Sequence, residues 1–122
     1  MNFIIDRSKW RCGGDHVHKN QKGIGATYLL NKEGFMCCLG QVAKQEGFSQ
    51  EDILNKHEPK NLNPIKDSIT INKDGGNSDL ANKAININDD FDMSLPERES
   101  RLKKIFNSYG HTIKFTGKSV KD

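Results

Sequence analysis

The sequence has few of the residues that mark disulfide-bonded or membrane proteins. It contains three cysteines, Cys12, Cys37 and Cys38, and an odd count with an adjacent pair is not typical of a disulfide framework. No apolar run approaches the ~20 residues of a membrane span. The start of the chain, which reaches Asp6 and Arg7 early, is too soon charged for a signal peptide. We therefore expect a cytoplasmic protein with no membrane partner.

The net charge is small, and recognisable motifs are few. A formal charge of +3 is small for a protein that wraps nucleic acid, although it permits a small anionic ligand. The chain contains neither a GxxxxGK[ST] nor a GxGxxG phosphate-binding motif, and residues 88–92 do not fit a calcium-binding EF-hand loop. These absences exclude the commonest nucleotide and calcium motifs. We expect no nucleic-acid partner, no cofactor and no catalytic residues.

The chain that remains is short and polar. Its 122 residues fit a single domain, 1–122, and its mean hydropathy is −0.77. A domain of this size buries only about 65% of its unfolded surface. Association of identical chains would bury more, which favours a homo-oligomer over a small monomer with long solvated loops.

Residues 27–47 predict a strand, a turn and a helix that together supply the core. Residues 27–30 are good strand formers, and Gly34 suits the turn that follows. Apolar residues then recur at helical spacing over about 36–46. Gly47 stands where a glycine commonly ends a helix.

The C-terminal third predicts a second helix and a strand. Ser94 and Glu97 form a capping-box pattern, an apolar stripe runs over about 95–109, and residues 111–116 alternate like a half-buried strand. We predict an α+β fold: a small antiparallel or mixed sheet that includes the N- and C-terminal strands, packed with these two main helices. Shorter elements are expected at 49–56 and 78–84 (helices) and at 67–71 (a strand).

Arginine is rare enough to be informative. The chain has 15 lysines but only four arginines. The arginine guanidinium is a rigid planar fork that suits phosphate and also stacks on aromatic rings. The four occur as two pairs, Arg7 with Arg11 and Arg98 with Arg101. They are candidate diphosphate ligands, with ordinary solvated cations as the alternative.

Aromatic and acidic residues accompany these arginines. Trp10 and Phe91 could stack on a base, and Asn88 and Asp89 could accept hydrogen bonds from ribose hydroxyls. The structural alternatives are that Trp10 anchors in the core and that residues 88–92 form an acidic turn.

Two catalytic interpretations are weaker. Cys12, His16 and His18 could hold a metal ion, but their spacing is not that of a known zinc site. Cys37 or Cys38 could be a nucleophile at a helix N-terminus, although no partner histidine is evident. We predict buried structural cysteines and no metal site, with a metal- or thiol-dependent hydrolase as the less favoured alternative.

Several sequence stretches together resemble one family of small phage and prophage proteins. They are SKWR at 8–11, LLNxxGxMCCLG at 29–40, ND at 88–89, ERExR at 97–101, and Phe106 followed by Ile113 and Phe115. In this combination the chain resembles the first type of Thoeris anti-defence proteins. The likeness covers most of the chain.

The resemblance implies a function without catalysis. Proteins of that family bind cyclic ADP-ribose isomers, such as glycocyclic ADP-ribose, that bacterial TIR-domain proteins produce, and they sequester the signal without degrading it. Some also bind cyclic oligonucleotides. The family forms dimers and hexamers with pockets near subunit interfaces, in the cytoplasm of the infected bacterial host.

From the residues themselves we expect a ligand-binding set made of Arg7, Trp10, Arg11, Asn88, Asp89, Phe91, Arg98 and Arg101. The resemblance implies a cyclic ADP-ribose-type nucleotide as the partner, and the chemistry of this set fits that ligand. The alternative function is a small phage-encoded inhibitor that acts by binding a host protein.

Overall fold

A computed structural model describes residues 1–12, 28–31, 33–62, 68–90 and 92–118 and shows an α+β fold. The two main helices and the two terminal strands occur where the sequence predicts them. In chain order the elements are strand β1 (Asn2–Asp6), helix α1 (Cys38–Glu46), helix α2 (Gln50–Ile53), a 3-10 helix (Pro59–Asn61), helix α3 (Asp79–Asn88), helix α4 (Leu95–Ser108) and strand β2 (Thr112–Thr116).

The direction of strand pairing differs from the predicted antiparallel or mixed sheet. β1 and β2 are parallel, with Asn2 opposite Thr112 and Asp6 opposite Thr116, and they form a two-stranded sheet within the described residues. Helices α1 to α4 all lie between the two strands in the chain, and parallel strands need such a long crossover. The alternation of each strand predicts which side chains are buried, but it does not contain the path of the connection.

One face of this sheet lies in the core. Phe3 and Ile5 of β1 and Ile113 and Phe115 of β2 are buried, whereas the residues between them face outward. Helix α4 contacts β2, helix α1 contacts β1, and helix α3 contacts both helices. The N- and C-terminal ends of the described chain are therefore held side by side on the helical layer.

The helix ends follow the expected capping chemistry. Helix α1 begins at Cys38, two residues later than predicted, and Gly47 ends it at φ 106°. The hydroxyl oxygens of Ser49, Ser78 and Ser94 accept backbone hydrogen bonds at the starts of α2, α3 and α4. These serines satisfy N–H groups that the helices cannot pair internally.

Two predicted strands are reduced to single bridges. Leu30 pairs with Leu54 and Ile71 with Asn77, each as an isolated bridge, while residues 27 and 67 lie outside the described part. Leu29 and Leu30 are nevertheless buried. This apolar run is buried without forming a continuous strand. A short apolar run indicates burial, but it does not by itself determine the secondary structure.

Two glutamines close the outer edge of β1. The Gln45 carboxamide accepts from the Ile4 N–H at 2.8 Å and donates to the Ile4 carbonyl at 2.7 Å. One turn earlier on α1, the Gln41 carboxamide does the same for Asp6, at 2.7 and 3.1 Å. Side chains thus replace the strand that would otherwise pair with this edge.

Gly40 marks the closest approach between α1 and the segment before it. A Cβ atom at this position would lie 1.8 Å from the carbonyl oxygen of Leu29. The contact is with backbone, so a rotamer change cannot relieve it. Only glycine therefore allows α1 to pack against Leu29 in this way.

We expect Gly40→Ala to destabilise the protein, although glycine-to-alanine changes inside helices usually stabilise by about 1 kcal/mol. The clash should lower the free energy of unfolding by about 1–3 kcal/mol, as other overpacked sites do. Urea unfolding measures this change. Lys44→Ala, on the exposed part of the same helix, is the control and should be nearly neutral. A Gly40→Ala protein as stable as wild type would contradict so close an approach of α1 to Leu29.

Candidate functional site

The buried carboxamide of Asn88 connects the segments that carry the predicted ligand residues. Asn88 is the last residue of α3 and is 1% exposed. Its Oδ1 atom accepts from the indole N–H of Trp10 at 2.7 Å and from the backbone N–H of Cys38 at 3.2 Å. The end of α3 is thereby tied to the segment after β1 and to the start of α1.

The amide nitrogen of the same side chain makes two further bonds. Asn88 Nδ2 donates to the carbonyl oxygen of Arg11 at 3.1 Å and to the carboxylate of Asp89 at 2.9 Å. We call Trp10, Arg11, Cys38, Asn88 and Asp89 the Asn88 network. Four of its members come from the predicted ligand set.

Arg98, near the start of α4, donates hydrogen bonds to carbonyls at the C-terminal end of α3. Its side chain is fully buried. Its Nη1 atom donates to the carbonyls of Ile87, Asn88 and Asp90 at 3.0, 2.7 and 3.0 Å, and Nη2 donates to that of Met93 at 2.6 Å. A cation at this position also suits the negative end of the helix dipole. Arg98 therefore fastens α3 and the following connection to α4.

Arg7 is engaged by Glu99. The guanidinium makes a two-pronged bond to the carboxylate, at 2.8 Å from Nε and 2.7 Å from Nη2, and Nη1 donates to the Gly117 carbonyl at 3.0 Å. The bond to Glu99 raises the pKa of Arg7. This pair links the chain after β1 to α4. Glu99 was not among the predicted site residues, although its place beside Arg98 in ERExR hinted at a role.

Two of the predicted ligand residues pack against aromatic rings. The Trp10 ring is buried and lies 5.0 Å from the ring of Phe115, in agreement with the structural alternative of a core anchor. The Arg11 guanidinium stacks over Phe35 at 5.0 Å and is 4% exposed. Trp10 thus belongs to the core, and Arg11 lies beneath a half-buried aromatic surface.

The remaining predicted residues lie nearer the solvent. Asp89 is half-buried. Arg101 is exposed and forms a 2.9 Å ion pair with Glu97 one turn earlier on α4. Phe91 lies outside the described residues, so its predicted stacking role is not addressed by the structure. The structure therefore brings Trp10, Arg11, Asn88, Asp89 and Arg98 together, while Arg7 contacts α4 at Glu99 and Arg101 pairs with Glu97.

A small crevice opens beside the Asn88 network. It is too narrow to hold even a water molecule and is lined by Cys37, Cys38, Leu39, His57, Ile85, Asn88 and Asp89. The His57 ring stacks on Tyr28 at 4.3 Å, and Tyr28 is partly exposed. Neither residue was among the predicted site residues, because Tyr28 was assigned to a strand and His57 to a connection. Ligand pockets usually measure about 300–1,000 Å³, so this crevice alone is too small for a dinucleotide.

Burial makes the cysteines poor nucleophiles. All three are buried and free of disulfides. Burial raises the pKa of the Cys12 thiol to about 12 and raises the pKa of Cys38 well above its usual range. A thiolate is the reactive form, so the structure favours the prediction of structural cysteines. Within the described ranges no three histidine, cysteine or acidic side chains are grouped to hold a metal ion; His16 and His18 fall outside those ranges.

Comparisons of this chain with models of known protein families, with characterised proteins and with solved structures found no match. In the part of the chain that the structure covers, none of the helices has the length and apolar character needed to cross a bilayer.

Replacement of Arg98 should cost far more stability than replacement of Arg101. Arg98→Met leaves several buried carbonyls without their donor, at about 1–3 kcal/mol for each group left unsatisfied. We expect a loss of at least about 3 kcal/mol in the free energy of unfolding. The matched Arg101→Met change removes an exposed pair and should cost less than about 1 kcal/mol. Chemical denaturation measures both, and equal losses would refute the assigned role of Arg98.

The thiols should react slowly while the protein is folded. In a Cys37→Ala variant, which keeps Cys12 and Cys38, a pKa of about 12 leaves less than about one part in a thousand of Cys12 as thiolate at about pH 8.5. Labelling with a disulfide reagent should therefore lag far behind that of the urea-unfolded chain and should rise with pH. Fast labelling of the folded protein would show that the thiols are accessible.

Proposed function

We propose that this chain is a non-catalytic binding protein that sequesters a cyclic ADP-ribose isomer, as its resemblance to the Thoeris anti-defence proteins implies. The observation that carries the proposal is the Asn88 network. It joins two segments, residues 10–11 and 88–89, that lie far apart in the chain. The sequence predicts both segments as ligands of a diphosphate, a base and a ribose. If these two segments were only solvated loops, nothing would require them to meet.

The network divides the predicted residues into two groups. Trp10, Asn88 and Arg98 direct their polar groups to one another and to backbone, so we assign them to positioning. Asp89 lines the crevice and is half-buried, which suits a carboxylate that accepts from a ribose hydroxyl. The partly exposed ring of Tyr28, held by His57, offers a planar face for adenine.

The size of the crevice bears on how the pocket is completed. The crevice of a single chain has no room for a cyclic ADP-ribose, so the proposed pocket needs a further surface against which the ligand can lie. A second copy of the chain would supply that surface and bury more of a small polar protein. A homo-oligomer, a dimer or hexamer, is therefore part of the proposal, and binding of the ligand should favour it.

Sequestration also agrees with the chemistry of the thiols. Protonated, buried Cys12 and Cys38 do not suit hydrolysis of a diphosphate or a glycosidic bond. A sequestering protein needs tight binding without turnover. An affinity near ~1 nM corresponds to about −12 kcal/mol, which calls for a closed pocket from which water is excluded.

The decisive experiment is native mass spectrometry of the pure protein with each cyclic ADP-ribose isomer, followed by heating and analysis of the released ligand. We expect one ligand mass per site, a larger assembly in its presence, and release of the ligand unchanged. Degraded ligand would indicate an enzyme. No binding of any isomer would reject the proposal.

A pair of acidic variants tests the site itself. Asp89→Ala removes the carboxylate at the crevice, and loss of a hydrogen bond to a charged group should weaken binding by about 10- to 100-fold. Asp92→Ala, an exposed acid three residues further on, is the control for lost charge. Arg101→Ala should weaken binding if Arg101 reaches the diphosphate, and Lys44→Ala on α1 is its matched control. If the affinities of Asp89→Ala and Asp92→Ala agree, the ligand does not use this crevice.

One observation favours the alternative of a protein-binding inhibitor. Among the described residues the outer edge of β2 pairs with no further strand, and an open strand edge is a common docking surface for another polypeptide.

A further inference from the structure

We propose that the outer edge of β2, together with the lysine-lined groove between β2 and α4, binds an extended acidic polypeptide segment as an added strand. This binding site lies on the opposite side of the sheet from the glutamines of α1. It is independent of the nucleotide site and would persist if that function proved wrong.

The two edges of the sheet differ in whether their outward backbone groups are hydrogen-bonded. In a parallel pair, alternate residues direct their N–H and C=O groups to the partner strand. The Thr112 N–H donates to the Met1 carbonyl at 3.0 Å and the Arg7 N–H donates to the Thr116 carbonyl at 2.8 Å. Residues 112, 114 and 116 therefore bond to β1, and Ile113 and Phe115 direct their backbone groups outward.

Those outward groups are open. Across the described ranges, no backbone or side-chain group bonds to the outward N–H or C=O of Ile113 or Phe115. The corresponding groups of β1, on Ile4 and Asp6, are bonded by glutamines of α1. Proteins generally protect such edges because they attract other strands. An edge left open beside one that is closed is a surface for strand addition.

A groove lies between α4 and the start of this strand. It has a volume of about 270 Å³ and is lined by Lys103, Lys104, Asn107, Thr112 and Ile113. The Lys103 ammonium lies 5.9 Å from the ring of Phe115, which places a cation beside the edge. Lys114 is exposed on the other face of β2. A strand added here would have lysines on both of its faces.

The sequence around β2 is rich in basic residues. Between Glu99 and Asp122 the chain contains six lysine or arginine residues and no acidic side chain. Glu99 itself is paired with Arg7. The rest of the chain is slightly acidic on balance, so the positive charge of the molecule is concentrated in the segment that contains α4 and β2. Charge complementarity therefore selects an acidic partner.

The same charges argue against a second copy of this chain as the occupant. Antiparallel pairing of two β2 strands centred on Lys114 would set two lysines directly opposite one another, and like charges opposite each other destabilise a sheet. It would also bring the Lys103 and Lys104 side chains of both copies to one junction. Lysine on an edge strand is a known means of preventing self-pairing.

The test uses a labelled peptide of about eight residues that alternates glutamate with valine, matching the two-residue period of a strand. We expect fluorescence anisotropy to detect binding that weakens as salt is added. A lysine–valine peptide should not bind. A glutamate–valine peptide with methylated backbone nitrogens, which cannot pair with an edge, should bind at least about tenfold more weakly.

Protein variants distinguish binding in this groove from non-specific electrostatic attraction. Lys103→Glu with Lys104→Glu should weaken binding by about tenfold or more. Lys44→Glu with Lys73→Glu changes the net charge equally at exposed positions away from the groove and should have a much smaller effect. If both pairs weaken binding alike, attraction is non-specific and the proposal is wrong.

Amide hydrogen exchange identifies the edge directly. Without peptide, the N–H groups of Ile113 and Phe115 should exchange faster than those of Lys114 and Thr116, which already bond to β1. Peptide binding should slow exchange at Ile113 and Phe115 selectively. Binding without this alternate pattern would overturn strand addition. Protection that grows with protein concentration in the absence of peptide would instead assign the edge to a second copy and reject the proposed partner.

Discussion

A single buried carboxamide organises the middle of this protein. Asn88 accepts hydrogen bonds from Trp10 and from the first turn of α1, and it donates to Arg11 and Asp89. It stands at the end of α3, whose carbonyls are bound by Arg98. Because a buried amide must find partners for both of its ends, the segment after β1, the start of α1 and the end of α3 are all held in place by this one side chain.

The same network explains how few specific contacts can support a polar chain of this size. Its hydrogen bonds fix the segments that meet at Asn88, while the sheet and helices α1, α3 and α4 supply the apolar core. The polar residues that resembled ligand groups in the sequence are thus largely scaffold at Trp10, Asn88 and Arg98. The groups that remain for the proposed nucleotide site are Asp89, the Tyr28–His57 pair and Arg101.

Asymmetry of the small sheet is the second organising feature. α1 closes the edge of β1 with glutamines at helical spacing, because a turn of helix nearly matches the repeat of two residues in a strand. α4 offers no such side chains to the described part of β2, and lysines line that side instead. The proposed nucleotide site and the proposed polypeptide site therefore lie on different parts of the fold.

Periodicity and capping patterns along the chain were enough to predict the α+β class, the two main helices with their serine and glycine ends, the terminal strands and the turn at Gly34, since neighbouring residues set these features. Side-chain chemistry, rather than periodicity, singled out Trp10, Asn88 and Arg98, as candidate ligand residues. The parallel pairing, the loss of the strand at Leu29 and Leu30, and the partners of each buried polar group emerged only when the chain was folded. These features depend on contacts between residues up to 110 positions apart, and no pattern along the chain encodes which distant groups will meet.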